Sequence, residues 1–397
     1  MKNPKALVVG MGICSAVGMN PSEVWNNLSN GFRGISTVKH LETSKDILVG
    51  EINASNLELA SALGISEGQY SRTFLLGFHA LKQAISDCEI DFHAERVGLI
   101  YGSTVGGMDQ TEKLIKQHGW TVGEPIVPIY YQHDCGAFPE MTQEILGIKF
   151  DYINTLSTAC ASAANAIIQG AQMLELGLLD KVIVGGADAL SLFTVNGFSS
   201  LMIMEQDYCK PFSRTRAGLN LGEGAAFLVL SAESTKSYGA VSGYANRCDA
   251  YHQTATSPNG EGPFLAMEGA IKKAGLTAKS IDYINTHGTG TPNNDATEFA
   301  AMQRIFGDGQ VPAFSSTKSY TGHTLAACGA IEAVISMLML QHQQLIGNFE
   351  YYESEIEGCH PLVGLQNATI EHLLSNSNGF GGNDSSIIFS KVPEHGV

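Results

Sequence analysis

The sequence predicts an α/β fold built from two similar β/α halves. With 397 residues, the chain is too long for one ordinary hydrophobic core. Short apolar runs of strand length, several of them ended by glycine, recur along it, and stretches of helix-forming residues separate them. The order of these stretches in the first part of the chain returns in the second. We therefore expect an N-terminal half, residues 1–235, packed against a C-terminal half, residues 236–397.

The first half begins with a strand and alternates from there. Residues 6–9 are predicted as a buried strand that runs into a turn at Gly10 and Gly12. A dinucleotide-binding loop matches poorly, because the next glycine comes only at Gly18 and no acidic partner falls in a clear second strand. The remaining predicted elements are helices over residues 21–28 and 74–85, and strands over residues 97–102, 181–186 and 225–230.

Between residues 106 and 150 the alternation lapses. This segment contains Trp120, three prolines and the adjacent Tyr130 and Tyr131. An insertion of this kind more often caps a site or makes a subunit contact than folds as a separate domain. We expect one of those two roles.

The second half repeats the pattern of the first. Residues 281–288 form a predicted strand with a glycine end, as residues 97–102 do. Residues 322–339 open with a glycine and histidine turn and continue as an alanine-rich apolar helix, as the segment after Cys160 does. Residues 385–389 close this half as residues 225–230 close the first. This correspondence is the main reason to expect two related halves.

The composition favours a soluble globular protein. Hydrophobic residues make up 44% of the chain and charged residues 16%, with 44 glycines. The net charge of −16 argues against nucleic acid and acidic membrane surfaces as partners. Eight cysteines without a C-x-x-C pair favour reduced thiols in a cytoplasm over a disulfide framework or a zinc site. We expect neither a signal peptide nor a membrane span, and therefore a cytoplasmic protein.

The chemistry is expected at Cys160, where a polar, turn-prone approach gives way to an alanine-rich run. Ser157 or Thr158 is placed to cap a helix that runs from Cys160 to Leu174. In the first turn of a helix, free N–H groups and the dipole favour the thiolate, which attacks carbonyl carbon. The same N–H groups would hold an oxyanion. The competing interpretation is a buried structural cysteine, since cysteine is among the residues most often buried.

Two histidine motifs favour the catalytic interpretation. His287 follows a predicted strand at its carboxyl end, where open α/β sheets bind ligands. Lys318 comes shortly before a second histidine, His323, and Glu332 follows in a predicted helix. A thiolate that receives an acyl group, together with two N–H donors that stabilise an enolate, suits carbon–carbon bond formation with thioesters.

Four separate blocks carry a resemblance to a known family. They are residues 158–162 around Cys160, residues 287–292 with Asp295 and Glu298, residues 318–323, and residues 379–383. At these blocks the sequence resembles the β-ketoacyl-acyl carrier protein synthases, the condensing enzymes of fatty-acid and polyketide synthesis. The combination of one cysteine and two histidines is similar to the elongating branch, because the initiating branch has asparagine at the position of His323. The resemblance covers essentially the whole chain.

The resemblance implies a fold, a reaction and a partner. The fold is a thiolase-like αβαβα sandwich of two related halves that works as a dimer, expected as a homodimer with a heterodimer as the alternative. The reaction is acyl transfer to Cys160, followed by decarboxylative condensation with malonyl-acyl carrier protein to a 3-oxoacyl product two carbons longer. Acyl carrier protein is the implied partner, and no metal or redox cofactor is needed.

The resemblance also implies roles for individual residues. Cys160 is the nucleophile, and its backbone N–H forms an oxyanion hole with that of Phe380, which also gates the site. His287 and His323 are the donors during decarboxylation and condensation, and Lys318 organises His323. The supporting positions are Glu332, Phe380, Thr289, Thr291 and Asp295.

Several positions depart from the usual family pattern. Asn378 stands where a second phenylalanine is common, and Ser213 and Ala217 replace acidic residues of familiar blocks. Residues 67–72 are poorer in Lys and Arg than the surface that usually docks the acidic carrier protein. The best candidates for a basic docking patch are Arg72, Lys210, Arg214 and Arg216, with Lys113 and Lys116 behind them.

Other functions stay open. The nearest alternative is a condensing enzyme of a specialised polyketide or polyene pathway. A thiolase or acyl hydrolase would use Cys160 without carrier protein, so coenzyme A thioesters tested with and without that protein would separate the two. A non-catalytic partner subunit is disfavoured, because the cysteine, both histidines and the lysine are all present.

Overall fold

Fourteen strands and eleven α-helices form the described part of the chain, residues 6–66, 68–119 and 131–392 of this computed structural model. The strands are β1 (Leu7–Ser15), β2 (Ser36–Thr37), β3 (Leu48–Val49), β4 (Val97–Gly102), β5 (Tyr152–Leu156), β6 (Lys181–Asp188), β7 (Gly224–Ser231), β8 (Gly239–Cys248), β9 (Tyr283–Asn285), β10 (Ala313–Ser315), β11 (Gln344–Ile346), β12 (Leu365–Asn367), β13 (His372–Gly379) and β14 (Asn383–Ser390). The helices are α1 (Pro21–Ser29), α2 (Asn56–Leu63), α3 (Arg72–Ser86), α4 (Met108–His118), α5 (Ala137–Leu146), α6 (Ser162–Glu175), α7 (Leu192–Ser200), α8 (Glu261–Ala274), α9 (Pro292–Phe306), α10 (Lys318–Thr321) and α11 (Cys328–His342).

Ten of the strands form one mixed sheet that divides into two halves of matching order. The first half-sheet runs β5-β4-β6-β7-β1, and the second runs β10-β9-β13-β14-β8. In each, the first two pairings are parallel and the last two antiparallel. β1 and β8 join the half-sheets by pairing Leu7 with Ala240 and Val8 with Gly239. The structure confirms the two related halves, and the boundary after residue 235 stays a prediction.

Helices and half-sheets stack in five layers. On the outer face of the first half-sheet, α3 packs against β1, β6 and β7. On the outer face of the second, α8 packs against β8 and β14, with α9 beside it. Between the half-sheets lie α6 and α11, which contact each other and strands of both halves. This arrangement is the expected αβαβα sandwich.

Close approach of the two central helices explains why the sequence is rich in small residues there. Ala163, Ala164 and Ala166 of α6 are buried. A Cβ on Gly329 of α11 would lie 2.8 Å from the backbone nitrogen of Ala164, closer than packed atoms tolerate. Small residues therefore bring the two helices that follow the Cys160 and His323 loops into backbone contact.

Burial on both sides makes α11 apolar all round. Together with the turn that precedes it, the stretch Leu325–His342 is long and apolar enough to cross a membrane, yet 89% of it is buried inside the protein. A helix enclosed by two sheets is expected to be hydrophobic on every face. We therefore interpret it as the core helix of the sandwich.

The first strand differs from the sequence prediction. β1 continues from Leu7 to Ser15, straight through Gly10 and Gly12, so the predicted glycine turn is wrong. The glycines instead make room for α3, because a Cβ on Gly12 would lie 2.1 Å from the carbonyl oxygen of Ala80. Glycine inside a strand often marks such a close backbone approach.

The segment between residues 106 and 150 contains α4 and α5. Part of it, including Trp120, Pro125, Pro128 and Tyr130, lies outside the described residues. Its expected role as a cap or a subunit contact therefore stays a prediction.

Candidate active site

Cys160 lies in the loop between β5 and α6, just before the helix. α6 begins at Ser162, and no side chain caps it. The predicted cap at Ser157 or Thr158, and the predicted helix start at Cys160, are therefore wrong. The cause is local, because the chain turns at Ala159, whose φ of 50° lies in the left-handed region that a right-handed helix excludes.

The hydroxyl of Ser162 keeps this turn closed. It accepts the backbone N–H of Thr158 at 2.9 Å and donates to the carbonyl of Ala159 at 2.6 Å. A non-glycine residue in the left-handed region costs roughly 1–2 kcal/mol, so such a turn needs bonds that maintain it. The result is a fixed position for the nucleophile at the start of the central helix.

Burial decides the protonation of Cys160. It raises the pKa of the thiol to about 11, against the opposing effects of the Lys318 charge and of the backbone N–H groups of Phe380 and Cys160. The resting group is therefore a thiol, and the expectation of a thiolate from the helix start alone is not met. The two N–H groups that favour the thiolate, those of Phe380 and Cys160, are the pair that the sequence predicts as the oxyanion hole.

His323 presents an N–H to the nucleophile. Its Nε2 lies 3.1 Å from Cys160 Sγ, and its Nδ1 accepts the backbone N–H of Leu325 at 3.3 Å. Because Nδ1 is an acceptor, the neutral ring carries its proton on Nε2. Burial and the charge of Lys318 lower the pKa of His323 well below its ordinary value, so this neutral form persists.

His287 faces the same space at right angles to His323. The ring centroids are 5.3 Å apart with an interplanar angle of 84°. Burial first, then the charges of Lys318 and His323, lower the pKa of His287 well below its usual value. Its Nδ1 is buried without a hydrogen-bond partner in the described part of the chain, so a proton there would be an unpaired donor. The proton is better placed on Nε2.

Glu298 positions His287 from behind. Its carboxylate accepts the backbone N–H of His287 at 2.8 Å and that of Gly288 at 2.9 Å, and the side-chain amide of Asn376 at 3.2 Å. The group is fully buried in α9. The segment after β9 that carries His287 therefore has a defined place relative to the sheet.

Lys318 forms a buried ion pair with Glu332. Both side chains are 2% exposed, and Nζ donates to a carboxylate oxygen of Glu332. Burial alone would lower the pKa of Lys318, but the charge of Glu332 raises it above its ordinary value. Lys318 thus stays charged in the interior, where its charge adds to burial in lowering the pKa of both histidines.

A cavity of about 260 Å³ joins these groups. Cys160, His287 and His323 line it, as do Thr289, Thr291 and Phe380 of the predicted supporting set. The hydroxyls of Thr289 and Thr291 are 2.9 Å apart. Five of the predicted residues therefore surround the nucleophile in one space.

Three supporting residues act in different places. The ring of Phe380 stacks on Phe198, with centroids 5.8 Å apart, beside the nucleophile. Asp295 is buried and accepts the backbone N–H groups of Phe212 at 2.7 Å and Gly290 at 3.2 Å, so it holds the loop that carries Thr289. Glu332 reaches the site through Lys318.

Asp188, a buried carboxylate at the end of β6, is not among the residues predicted from the sequence. It accepts the hydroxyl of Ser103 at 2.7 Å, the backbone N–H of Val105 at 3.0 Å and that of Ala326 at 2.9 Å. It therefore ties the loop after β4 to the turn that follows His323. An acidic residue at the carboxyl end of a buried strand was the available signal.

The wall of the cavity also includes residues without a predicted role. Phe198, Ile203 and Leu219 supply an apolar side, and Asn294 and Asn378 supply amides. Phe198 belongs to α7, and Ile203 follows that helix. α7 is short, and its periodicity alone does not indicate a site.

The same three catalytic residues could be considered as metal ligands. One ligand atom each from Cys160, His287 and His323 lie within 4.8 Å of one another. A ligating histidine, however, usually donates its other N–H to an acceptor. Nδ1 of His323 instead faces the N–H donor of Leu325. This donor set favours hydrogen-bond donation from Nε2 over metal binding.

The predicted docking surface is wrong at two residues, Arg72 and Arg216. Arg72 is buried, and its guanidinium bonds to the Glu223 carboxylate and to the carbonyl of Ile52. Arg216 is buried and pairs with Glu355 at 2.7 Å. Both cations have internal partners, so neither belongs to a free basic surface.

The other main candidates for that surface differ in exposure. Lys210 pairs with Asp207 at 2.8 Å, and its side chain is 12% exposed. Arg214 is exposed. Arg214 is thus the strongest remaining candidate of the original four.

Comparison with known proteins is consistent over the whole chain. Two family models match, "Beta-ketoacyl synthase, N-terminal domain" over residues 5–236 and "Beta-ketoacyl synthase, C-terminal domain" over residues 238–351. The 3-oxoacyl-[acyl-carrier-protein] synthase 2 of Staphylococcus aureus (strain COL) is 32% identical over 98% of this chain and 99% of its own length. The protein of the same name from Vibrio cholerae serotype O1 is 30% identical over 99% of this chain and all of its own length (100%).

A solved structure matches equally well. The ketosynthase ApeO in complex with its chain length factor ApeC, from Xenorhabdus doucetiae, superposes with a TM-score of 0.86 at 31% identity. The match covers 98% of each chain.

Proposed function

This chain belongs to the beta-ketoacyl synthase family, and from that premise we infer that it is an acyltransferase that elongates acyl chains held on acyl carrier protein. The observation that carries the inference is the position of Cys160 Sγ, 3.1 Å from Nε2 of His323 in a buried cavity that His287 and Phe380 also line. A nucleophile, an oxyanion site and neutral N–H donors thus meet in one buried cavity.

In the first half-reaction, an acyl group moves from the carrier protein to Cys160. Sγ attacks the thioester carbonyl, and the N–H groups of Cys160 and Phe380 donate hydrogen bonds to the negative oxygen that forms. The carbon–sulfur bond to the carrier then breaks. Since Cys160 begins as a thiol, its proton leaves with the carrier thiol, and charge is balanced.

In the second half-reaction, a malonyl thioester loses carbon dioxide and attacks the acyl group. Neutral His287 and His323 donate Nε2–H groups to the malonyl thioester oxygen, which becomes an enolate as the bond to the carboxylate breaks. The enolate carbon attacks the acyl carbon on Cys160. The bond between the acyl carbon and Sγ of Cys160 breaks, so the 3-oxoacyl chain leaves on the second carrier, two carbons longer. The Cys160 thiolate takes up a proton from solvent.

The roles of the remaining residues follow from their contacts. Burial keeps both histidines neutral, and the charge of Lys318, which pairs with Glu332, adds to that effect. Thr289 and Thr291 line the cavity, where their hydroxyls can bind the arm of the carrier. We propose that the reaction uses no metal or redox cofactor, since every step above is a transfer of acyl groups and protons between named groups.

A pathway of fatty-acid or related lipid synthesis is supported by the 32% identical relative from Staphylococcus aureus. A specialised polyketide-type pathway is the second candidate, and the 31% identical ketosynthase from Xenorhabdus doucetiae favours it. We retain both, because the two likenesses are of similar strength.

We further propose a dimeric assembly in the cytoplasm. β5 lies at the edge of the ten-stranded sheet, and its five residues are only partly buried. Such an edge is a ready template for pairing with a strand of a second chain. A second copy of this chain is the expected partner, and a heterodimer with a chain length factor, as in the Xenorhabdus complex, is the alternative. The free cysteines support a reducing compartment.

The test is a reconstituted condensation. Purified enzyme should release carbon dioxide and form a 3-oxoacyl product when given acyl and malonyl thioesters of acyl carrier protein. Coenzyme A thioesters alone should react far more slowly. Equal rates with coenzyme A thioesters, or release of free acid without condensation, would replace this function with that of a thiolase or a hydrolase.

A further inference from the structure

Asn378 is a departure from the family pattern that reaches the cavity. It lies near the end of β13, directly before Gly379 and Phe380. The residue is 8% exposed, and it lines the same cavity as Cys160 and His287. An amide therefore stands in the reaction space where the family commonly has an aromatic ring.

The cavity must accept one negative charge, and its described lining residues include no Lys or Arg to neutralise it. On the proposed function, the malonyl group enters with a carboxylate. Among the described residues that line the cavity there is no Lys, Arg, Asp or Glu. His287 and His323 are held neutral by burial. A buried carboxylate without partners is strongly disfavoured, so it has to find neutral donors.

Several donors of the wall are already partly engaged. The hydroxyls of Thr289 and Thr291 are 2.9 Å apart, so one of the two O–H groups donates to the other, and the remaining one is assigned above to the arm of the carrier. The amide of Asn294 donates to two carboxylates behind it, at 3.1 and 3.5 Å. Nδ2 of Asn378 makes one long contact, 3.4 Å to the amide oxygen of Asn294. An amide nitrogen has two N–H groups, which leaves Asn378 with a donor for a ligand.

The position of this amide is linked to that of His287. Asn294, which accepts from Asn378, is itself held by Glu298 at 3.5 Å. Glu298 also accepts the backbone N–H of His287 at 2.8 Å. The donor for a carboxylate and the donor for an enolate oxygen are thus carried on one network.

We propose that Asn378 binds the carboxylate of the malonyl group and so selects a carboxylated extender substrate. Its N–H donates to the carboxylate until the carbon–carbon bond breaks. The electron pair of that bond then passes into the enolate at His287 and His323, and carbon dioxide leaves. A neutral donor suits this step, because a cation would stabilise the carboxylate of the ground state more than the transition state, in which the charge moves away.

The test separates the two half-reactions in the Asn378→Asp variant, which keeps the shape of the side chain. Malonyl-carrier decarboxylation is followed by mass as conversion to the acetyl-carrier, and acyl transfer is followed as acyl-enzyme formation. A charged group is repelled by the new carboxylate, while a neutral acyl thioester is not. Decarboxylation should fall by roughly 10- to 100-fold, the range for hydrogen bonds to charged groups, and acyl transfer far less.

Three further measurements keep the proposal falsifiable. In Asn378→Asp, the deficit should shrink as pH falls, because the introduced carboxyl takes up a proton and becomes a donor. Asn378→Leu, which removes the donor without adding charge, should show a smaller loss in decarboxylation. Asn293→Asp is the matched control, since Asn293 lines the same cavity at its exposed rim, and its ratio of the two rates should stay near that of the parent.

Two results would overturn the proposal. One is an equal loss of both half-reactions in the Asn378 variants, independent of pH. The other is an equal change of the rate ratio in Asn293→Asp. The proposal rests on the proposed function, whose own failure is recognised separately: the parent enzyme would then release no carbon dioxide from malonyl-carrier protein.

Discussion

The two halves of the molecule deliver catalytic groups from matching places and use them differently. In the first half, residues 157–161 connect β5 to α6 and carry Cys160. In the second, residues 316–327 connect β10 to α11 and carry Lys318 and His323. β5 and β10 occupy the same position in their half-sheets, and α6 and α11 lie side by side.

The difference in these loops separates two kinds of chemistry. The short loop of the first half turns at Ala159 and places one thiol against backbone N–H groups. The longer loop of the second half has room for a buried cation, whose charge adds to burial in keeping two imidazoles neutral. On the proposed function, a duplicated frame holds the acyl group with one half and stabilises the enolate with the other. This division predicts that the half-reactions can be lost independently.

Removing the nucleophile should have the largest effect. Cys160→Ala should abolish acyl-enzyme formation, because no other group of the cavity attacks the thioester, while malonyl decarboxylation by the second half continues. Mass spectrometry of the protein and of the carrier would follow both. An acylated Cys160→Ala protein would contradict the assignment of the nucleophile.

Removing either histidine should show the opposite pattern. His287→Ala and His323→Ala should still form the acyl-enzyme, while condensation falls by roughly 100- to 1000-fold, the usual result of losing one oxyanion donor. A quenched assay of acylation would give the rate of acyl-enzyme formation, and a steady-state assay would give the rate of condensation. Condensation near the parent rate in either variant would show that the second half does not act through paired donors.

Breaking the buried ion pair tests the part of the second half that has no counterpart in the first. Lys318→Met leaves Glu332 buried and unpaired, which should destabilise the fold by about 3–5 kcal/mol. The double variant Lys318→Met, Glu332→Leu should recover most of the stability in urea unfolding. Condensation should stay low, because the charge that adds to burial in lowering the pKa of both histidines is gone. Recovery of both properties together would reduce the pair to a structural role.

The smallest expected effect concerns the carrier, which has to reach both halves. Reversing exposed Arg214 to Glu should raise the KM for acyl carrier protein by up to roughly 5-fold, in line with a surface charge. Acylation of Cys160 by a small electrophile should change little. The effect should fade with salt, since charges are screened over about 8 Å at physiological ionic strength.

Lys279→Glu is a suitable control for that experiment. Lys279 is also exposed, but it precedes β9 at the amino end of the sheet, away from the catalytic loops. An equal rise of KM in both variants would indicate a general effect of net charge. An unchanged KM in Arg214→Glu at low salt would remove this residue from the docking surface.

The repeated architecture could be predicted because local sequence patterns indicate it. The strand ends at residues 97–102 and 281–288, and the helices after Cys160 and His323, carry the same periodicity and glycine endings in both halves. That Cys160, His287 and His323 share one site could be predicted for a similar reason, since each follows the end of a strand or precedes a core helix. These are properties of short segments, which a sequence shows directly.

What could not be predicted depends on contacts between distant segments. From the sequence, Gly12 is predicted to lie in a turn. In the structure it makes room for α3. From the sequence, Arg72 is predicted to be a surface cation. In the structure it is buried and bonds to Glu223, which lies far along the chain. The pKa of Cys160 follows from desolvation by the surrounding fold, which outweighs the favourable helix start. Each depends on tertiary structure that no local pattern contains.

The measurement that tests the division between the halves most directly is a chase of the acyl-enzyme. The protein is first loaded from an acyl-carrier thioester and then given malonyl-carrier protein, with the Cys160 peptide and the carriers weighed at each stage. We predict an acyl mass on Cys160 that disappears as a 3-oxoacyl-carrier two carbons longer forms. An acyl group on another residue, or its loss from Cys160 as free acid without a longer product, would contradict the account.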